Sequence, residues 1–322
     1  MDNFEKLGVA AARIGGGIES IVPDSRNHWL ALRSNDITAS AAGALFGVHD
    51  YQTPFGLWAL KTGRAPEGAN ETAAMKRGRL LEPVVIDLVR DERPDWKISP
   101  NGGVYYRDPA ARLGATPDAF IDAPDRDGRG VLQIKTTERS VFARKWVGDG
   151  GAIEPPIWIA MQALIEAELT GSKWAAVAVM TVGFGLDLHI VEVPMTPGLM
   201  DTVRAKVAEF WRMVDEGREP PADYARDGAA LAQVYAHDDG STIDLAGDNE
   251  LTFLLEERAR LSAERKAHDE RLDVIRNEII AKIGPHASAT LNGWIISAKT
   301  ITKKPYTVTP KPYRDIRPKR IA

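Results

Sequence analysis

The fold of this chain depends on residues 114–137, which read GATPDAFIDAPDRDGRGVLQIKTT. They predict two β-strands, Leu113 to Ile121 and Val131 to Thr136. The segment 122–130 between them is polar and rich in glycine, which is typical of a turn. We therefore expect a β-hairpin at the centre of the fold.

The second strand of this hairpin alternates apolar and polar residues. Leu132 and Ile134 fall on one face, and Gln133 and Lys135 share the other. If the hairpin folds about the middle of its turn, Asp118 lies opposite Gln133. A carboxylate, an amide oxygen and an ammonium group then converge, which suits a divalent metal ion beside a phosphate. Taken alone, the same pattern is also typical of structural strands with polar surface residues.

Composition favours a soluble, cytoplasmic globular protein. Hydrophobic residues make up 44% and charged residues 27% of the 322 residues, and no apolar run reaches the ~18 residues of a membrane span. The N-terminus lacks the features of a secretory signal, and the absence of cysteine excludes disulfides and thiolate metal sites. The net charge of −4 does not suit a protein that coats DNA, but a nuclease with an acidic metal site and local positive charge is compatible with it.

Four segments follow from the pattern of glycine, proline and charge along the chain. We predict a flexible N-terminal segment over residues 1–22, a core over 23–218, a linker over 219–248 and a C-terminal region over 249–322. The linker begins at Glu219-Pro220-Pro221 and is polar thereafter. The C-terminal region therefore forms a part of its own.

The C-terminal region combines three predicted features. Glu250 to Ile283 is a long charged helix, and Asn292-Gly293 predicts a two-residue hairpin that joins Ala287–Leu291 to Trp294–Ile301. The tail is basic and either solvated or in contact with nucleic acid or another subunit. Its charged residues are Lys303, Lys304, Lys311, Arg314, Arg317, Lys319 and Arg320, against Asp315.

Two residues near the start of the core are candidates for binding phosphate. Arg33 offers a charged fork, and Ser40 offers a hydroxyl close to a helix N-terminus that Thr38 or Asp36 can cap. Read alone, a surface arginine and a small packing serine explain both residues equally well.

Two predicted helices carry further candidates. Glu82 lies in the helix Ala69–Glu92 beside Pro83, which predicts a kink or a restart, so this carboxylate points either into a site or into water. Gln162 lies in the mostly apolar helix Ile157–Thr170 and must find a polar partner. Either a core hydrogen bond or a role in an active site satisfies it.

Short motifs follow one another in a defined order across residues 27–215. They are Trp29-x-x-x-Arg33 with Ile37-Thr38-Ala39-Ser40, Thr53-Pro54 with Leu57-Trp58 and Thr62-Gly63, Gly78-x-x-x-Glu82-Pro83, Thr116-Pro117-Asp118-Ala119, Gln133-Ile134-Lys135-Thr136, and Gln162 ahead of Leu169-Thr170-Gly171. In this order they resemble the YqaJ-type viral recombinase family, which includes the lambda-type exonucleases of the PD-(D/E)xK nuclease class. Each motif is weak by itself, and the specificity comes from their order.

The resemblance implies a fold and an activity. The fold is an α/β PD-(D/E)xK nuclease core with a mixed central sheet flanked by helices. The activity is Mg²⁺-dependent digestion of double-stranded DNA from an end, in the 5′-to-3′ direction, with Mn²⁺ able to substitute. Such an enzyme of phage or prophage origin generates single-stranded DNA for recombination. Its implied partners are double-stranded DNA ends, a single-strand annealing protein and further copies of itself, in a ring-shaped trimer.

The resemblance also implies a role for each matching residue. Catalytic roles fall on Asp118, Gln133, Lys135, Glu82 and Gln162, and contacts to a terminal 5′-phosphate on Arg33 and Ser40. The oxygen ligands that Mg²⁺ prefers would come from Asp118, Glu82, the Gln133 amide and the Ile134 carbonyl.

The chain departs from the family pattern at two positions. Gln133 stands where glutamate or aspartate is usual, and Leu164 stands where relatives often repeat glutamine. A neutral amide removes one negative charge, so we expect weaker metal binding, with one tightly held ion and activity retained.

Other functions compete with the exonuclease. No motif separates it from an endonuclease or nickase on the same core, and Gln133 leaves room for a non-catalytic scaffold that binds DNA ends. A zinc hydrolase is disfavoured because the six histidines show no ligand spacing and cysteine is absent. A nucleotide-binding enzyme is disfavoured because no glycine loop lies between a strand and a helix.

Overall fold

The computed structural model describes residues 12–15, 17–66, 72–305, 307 and 313–319. The chain divides into two compact units, Met1–Val234 and Tyr235–Ala322. None of the helices in the described ranges combines the length and the apolar composition that a membrane span needs.

The first unit is a mixed α/β structure. Its described helices are α1 Arg26–Asn35, α2 Ala39–Ala42, α3 Pro54–Lys61, α4 Ala73–Glu92, α5 Arg139–Lys145, α6 Ile157–Thr170, α7 Leu199–Asp215 and α8 Gly228–Val234. Its described strands are β1 Ala12–Gly15, β2 Ile18–Ile21, β3 Ile37–Thr38, β4 Lys97–Pro100, β5 Tyr105–Asp108, β6 Leu113–Ala115, β7 Ala119–Asp122, β8 Gly130–Glu138, β9 Trp174–Val182 and β10 Leu186–Val193.

These strands form two five-stranded sheets, in the orders β1-β2-β5-β6-β3 and β10-β9-β8-β7-β4. Each sheet is mixed, because β3 pairs in parallel with β6 and β8 with β9, whereas the neighbouring pairs are antiparallel. The predicted α/β fold with mixed strands flanked by helices is confirmed. The single central sheet is instead divided into two.

The boundary between the two sheets lies within the hairpin on which the fold depends. The prediction of one strand from Leu113 to Ile121 is wrong, since β6 belongs to the first sheet and β7 to the second. Residues 116–118 interrupt the strand. Pro117 has no N–H to donate and a fixed φ, so a strand ladder does not continue through it. Asp118 therefore lies at the junction of the two sheets.

The alternation predicted for β8 is confirmed. Leu132 and Ile134 pack with Val85 and Ile86 of α4 in one apolar cluster, while Val131 joins the cluster that contains α6. The second sheet is thus covered by α4 on one face and α6 on the other. Burial of each such aliphatic side chain contributes roughly 1.5–3 kcal/mol, which fixes the register that aims Gln133 toward α6.

Close packing sets the position of α6. Gly43, directly after α2, faces Trp158, and a Cβ on Gly43 would lie 2.7 Å from Trp158 Cβ. Only glycine permits this approach. Pro156 precedes the helix and Gly171, with φ +68°, ends it, so Gln162 is held in its middle.

Helix α4 begins one residue after its cap Thr72, whose hydroxyl accepts a hydrogen bond from Met75 N over 3.2 Å. The restart predicted at Pro83 as one of two alternatives is wrong, because the helix is continuous from Ala73 to Glu92.

The flexible segment predicted over residues 1–22 is wrong in part. β1 and β2 pair with each other, and β2 pairs with β5, where Ile21 lies opposite Tyr105. Ile21 is buried beside Leu32 and Tyr105. The remaining residues of that segment, 1–11 and 16, lie outside the described residues.

The linker predicted over residues 219–248 is also wrong in part. Helix α8 belongs to the first unit, which extends to Val234 instead of ending at residue 218. Asp227 is buried and holds this end in place, since its carboxylate accepts hydrogen bonds from the Thr53 hydroxyl and from Asp223 N.

The second unit contains the predicted long helix and hairpin. Helix α9 spans Asn249–Ile283, with Asp248 as its N-cap, and β11 (Ser288–Leu291) pairs with β12 (Trp294–Ser297). The second strand is shorter than predicted. In the tail, Arg317 pairs with Asp315 over 2.6 Å, whereas Lys311 and Arg320 lie outside the described residues.

Candidate active site

An open cleft of about 690 Å³ lies where the two sheets meet. Its lining comes from α1, the start of α2, α4, the β6–β7 junction and α6. It includes five of the residues singled out from the sequence, Arg33, Ser40, Glu82, Asp118 and Gln162. Residues up to 129 positions apart in the chain therefore share one cavity.

Asp118 lies opposite Gln133, as the hairpin register predicted. Ala119 pairs with Leu132, which places the preceding Asp118 beside Gln133. Asp118 Oδ2 accepts a hydrogen bond from Ile134 N over 2.7 Å and one from Gln133 Nε2. These two bonds hold the carboxylate against β8, directly before β7 begins.

A chain of amide groups connects β8 to α6. Gln162 Nε2 donates to Gln133 Oε1 and to Glu166 Oε1, each over 2.8 Å. Lys135 Nζ donates to Gln162 Oε1 over 3.1 Å. We call Gln133, Gln162 and Glu166 the amide network. Gln162 thus makes the buried hydrogen bonds that were one of its two predicted uses, and it also lines the cleft.

Glu166 is the site residue that the sequence reasoning missed. It is 1% exposed, lines the cleft, and its Oε2 has no hydrogen-bond partner among the described residues. A signal was present. Glu166 follows Gln162 by four positions, so both share one helix face, and a charged residue on this apolar helix needs a partner as much as Gln162 does.

The carboxyl groups of the cleft hold their protons strongly. Burial, reinforced by the Asp118 carboxylate, raises the pKa of Glu82 to about 7. Burial also raises the pKa of Asp118, against the effect of the Lys135 ammonium. Burial and the charge of Asp118 raise the pKa of Glu166 well above its usual value. A cation placed among these groups would relieve both the desolvation and the repulsion.

The far end of the cleft is built on α1. Trp29 Nε1 donates to Thr116 Oγ1 over 3.2 Å, and the Arg33 guanidinium lies 4.3 Å from the centre of the Trp29 ring. Ser40 Oγ and Thr38 Oγ1 are 3.0 Å apart. Arg33 and Ser40 therefore lie on the α1–α2 side, with Asp118 immediately beyond Thr116.

Asp36 does not cap the N-terminus of α2, which corrects one of the two alternatives from the sequence; it is instead the C-cap residue of α1. It accepts two hydrogen bonds from Arg107, each 3.0 Å long, and one from Tyr105 Oη. Thr38 stands at the N-cap position of α2, but its side chain makes no capping hydrogen bond.

The oxygen atoms in the cleft fit a hard divalent cation. Asp118 and Glu82 offer carboxylates, and Glu166 Oε2 is a buried oxygen to which no described residue donates. The Ile134 carbonyl accepts a 3.4 Å hydrogen bond from Gln133 Nε2. In the described part of the chain, no group of three or more His, Asp or Glu side chains is already gathered in a ligand arrangement.

Comparison with known families finds a match within the first unit. Residues 28–172 match the model of the YqaJ-like viral recombinase domain. The match contains each of the predicted site residues, from Arg33 to Gln162, together with Glu166.

Individual relatives are distant. The chain is 25% identical over 211 residues to "Uncharacterized protein YqaJ" of Bacillus subtilis (strain 168), a match that covers 66% of this chain and 62% of that protein. It thus spans about three fifths of the length of this curated relative. Among solved structures, the alkaline exonuclease LHK-Exo of Laribacter hongkongensis has 20% identity and a TM-score of 0.47, covering 63% of this chain and 98% of that chain. LHK-Exo in complex with dAMP has 18% identity and a TM-score of 0.45, with the same coverage.

Proposed function

We propose that the chain is a metal-dependent exonuclease, because residues 28–172 match the model of the YqaJ-like viral recombinase domain. It would digest double-stranded DNA from an end, in the 5′-to-3′ direction, and leave single-stranded DNA for phage-type recombination. The observation that carries the proposal is the single cleft that joins the Asp118 and Glu82 carboxylates to Arg33 and Ser40.

The carboxylate end of the cleft is the proposed site of cleavage. Asp118, Glu82, the Ile134 carbonyl and the Gln133 amide oxygen would hold Mg²⁺, and Mn²⁺ could replace it. When bound, the ion supplies an activated water and offsets the charge that develops on the phosphate. Lys135 lies on the same face of β8 as Gln133 and would orient that water or compensate phosphate charge. Gln162 holds Lys135 Nζ in place through the 3.1 Å hydrogen bond.

The α1–α2 end of the cleft is the proposed site for a terminal 5′-phosphate. The Arg33 guanidinium is oriented by its stacking on Trp29 and would bind phosphate oxygens through paired N–H groups. The Ser40 hydroxyl would add a neutral donor. A 5′-phosphate bound by Arg33 and Ser40 would direct the DNA strand attached to it toward Asp118, which would give cleavage from the 5′ end.

The test compares linear and covalently closed duplex DNA, with 5′-phosphate or 5′-hydroxyl ends, in Mg²⁺, Mn²⁺ or EDTA. We expect the wild type to degrade only the linear duplex, to release 5′-nucleotides and to require the metal. Asp118→Asn should lower the rate by at least ~10³-fold, since a bound metal contributes several kcal/mol to the transition state. The matched control Asp122→Asn changes an exposed aspartate at the other end of β7 and should leave the rate unchanged.

The same assay separates the competing functions. Cutting of the closed circle would replace the exonuclease with an endonuclease or nickase. Retention of DNA ends without cutting by the wild type would favour a scaffold. Arg33→Ala should reduce the preference for a 5′-phosphate by about tenfold or more, because a hydrogen bond to a charged group contributes about 1.5–3 kcal/mol. Arg90→Ala, an exposed arginine of α4 outside the cleft lining, is its control.

Assembly is a further part of the proposal. A ring-shaped trimer that encloses the duplex would make digestion processive, and a single-strand annealing protein would receive the product strand. Light scattering of the full chain, alone and with a linear duplex, tests the trimer. A monomeric mass under both conditions would remove this part of the proposal.

A further inference from the structure

We propose that Glu166 supplies the acidic metal ligand that this chain lacks at position 133. The inference rests on the proposed metal-dependent nuclease and assigns a residue outside the expected motif to its metal site. The carboxylate would reach the ion from α6 instead of from β8.

The amide network places Glu166 beside the position where the charge is missing. Glu166 Oε1 and Gln133 Oε1 both accept a hydrogen bond from the same atom, Gln162 Nε2, over 2.8 Å. The two oxygens are therefore separated by at most about twice that distance. A carboxylate on α6 thus lies next to the oxygen that a glutamate at position 133 would present.

The second oxygen of Glu166 is available to an ion. The side chain is 1% exposed, yet its Oε2 has no hydrogen-bond partner in the described part of the chain. A buried carboxylate without a full set of partners is destabilising by several kcal/mol. The amide of Gln162 already occupies Oε1, and Lys135 donates to Gln162 instead of to Glu166. The remaining oxygen is the kind of ligand that a divalent cation binds.

The position within the cleft supports the same conclusion. Glu166 lines the cavity together with Asp118 and Glu82, the two carboxylates already assigned to the metal. By contrast, Glu168 lies two residues further along α6 and is partly exposed beside Arg204, with its carboxylate 3.4 Å from that guanidinium. Only one of the two helix glutamates therefore faces the cleft, which gives a matched pair for mutation.

The test measures Mn²⁺ binding to the full chain without DNA, by calorimetry and by the electron paramagnetic resonance signal of free Mn²⁺. Glu166→Gln should weaken binding by about tenfold or more, as expected for the loss of about 1.4 kcal/mol from a charged ligand. Glu168→Gln should bind as the wild type does. In the double variant Gln133→Glu/Glu166→Gln, the charge returns on β8, and affinity should recover to within about threefold of the wild type.

Two outcomes would overturn this inference alone. One is wild-type affinity in Glu166→Gln, and the other is a double variant as weak as Glu166→Gln, which would indicate a structural role for the glutamate. If Glu166→Gln does not fold, Glu166→Asp retracts the carboxylate by one methylene and should bind Mn²⁺ more weakly. Equal affinity of Glu166→Asp and the wild type would count against the assignment. A wild type that binds no Mn²⁺ would overturn both this inference and the proposed function.

Discussion

Two buried acidic sites in the first unit balance their charge in different ways. Asp36 is fully buried, and Arg107 donates to both of its oxygens while Tyr105 donates to one of them. Glu166 is equally buried, but its Oε1 accepts a hydrogen bond from the neutral Gln162, and its Oε2 lacks a partner among the described residues. The first site contains its own cation. The second lies in an open cleft beside two further carboxylates.

This difference distinguishes a charged pair that stabilises the fold from charged groups that are suited to a function. Arg107 and Asp36 join β5 to the segment before β3 and are closed off from water, so their contribution is to the fold. Burial raises the pKa of each cleft carboxyl group, and the charge of Asp118 adds to this effect at Glu82 and Glu166, so their ionised forms cost stability in the absence of an ion. Groups left in this condition are typical of functional sites. The following predictions are given from the largest expected effect to the smallest.

The largest effect on stability is expected from a mutation in the buried Asp36–Arg107 pair. Asp36→Asn leaves Arg107 buried without its main counter-charge, and loss of one partner from a buried pair costs roughly 3–5 kcal/mol. We expect the lower end of that range, since Glu19 Oε2 remains 3.7 Å from Arg107. Urea unfolding measures the change, with the exposed Asp122→Asn as control. A loss below about 1 kcal/mol would mean that the pair is not structural.

Metal binding at the cleft carboxylates should stabilise the folded protein, and this effect should not depend on the buried Asp36–Arg107 pair. At a Mg²⁺ concentration of 100 times Kd, the free energy of unfolding should rise by about 2.7 kcal/mol. Asp118→Asn should lose this increment and Asp36→Asn should keep it, provided that it remains folded. Thermal unfolding with Mg²⁺ and with EDTA makes the comparison. An increment of the same size in Asp118→Asn would place the ion elsewhere.

The metal-free protein should respond to pH through Glu166. Its pKa is raised by burial above the ordinary value of 4.5, so the folded state keeps a proton that the unfolded state releases. The contribution of Glu166 to the free energy of unfolding therefore falls as pH rises above about 4.5. Relative to the wild type, Glu166→Gln should become more stable between pH 5 and pH 8 in EDTA. A difference in stability that is independent of pH would show that the carboxyl ionises normally.

A smaller pH effect is expected from Glu82, which is only half-buried. Its pKa of about 7 defines a window from 4.5 to 7, in which the folded state holds more protons and stability declines with rising pH. Above pH 7 both states are ionised, and the slope from this group ends. Glu82→Gln should flatten the EDTA stability profile inside this window only. Flattening that continues above pH 8 would point to another group.

Much of the site was predictable because it depends on local pattern. The period of two in β8 aimed Gln133 and Lys135 away from Leu132, and the hairpin register put Asp118 opposite Gln133. Glu82, by contrast, could not be assigned from its helix alone. Its place in the cleft depends on how α4 packs on the second sheet.

The errors have a common physical cause. Residues 12–15 and 18–21 carry no strong strand signal, yet they form strands because β5 offers an edge to β2, and β2 in turn pairs with β1. The supposed linker is held to the first unit by the buried Asp227, which bonds Thr53, 174 positions earlier in the chain. Such partners come from distant segments, so neither composition nor local propensity identifies them.

The sequence by itself determined the mixed α/β composition, the order of the motifs across residues 27–215, the long C-terminal helix and the Asp118–Gln133 pairing. These features follow from side-chain periodicity and turn chemistry, which act over a few residues. Only the tertiary structure decided that the strands form two sheets, that the cleft opens between them, and that Glu166 lies beside Gln133. Those outcomes depend on the packing of α6 against Gly43 and β8, and long-range packing of this kind leaves no periodic mark in the chain.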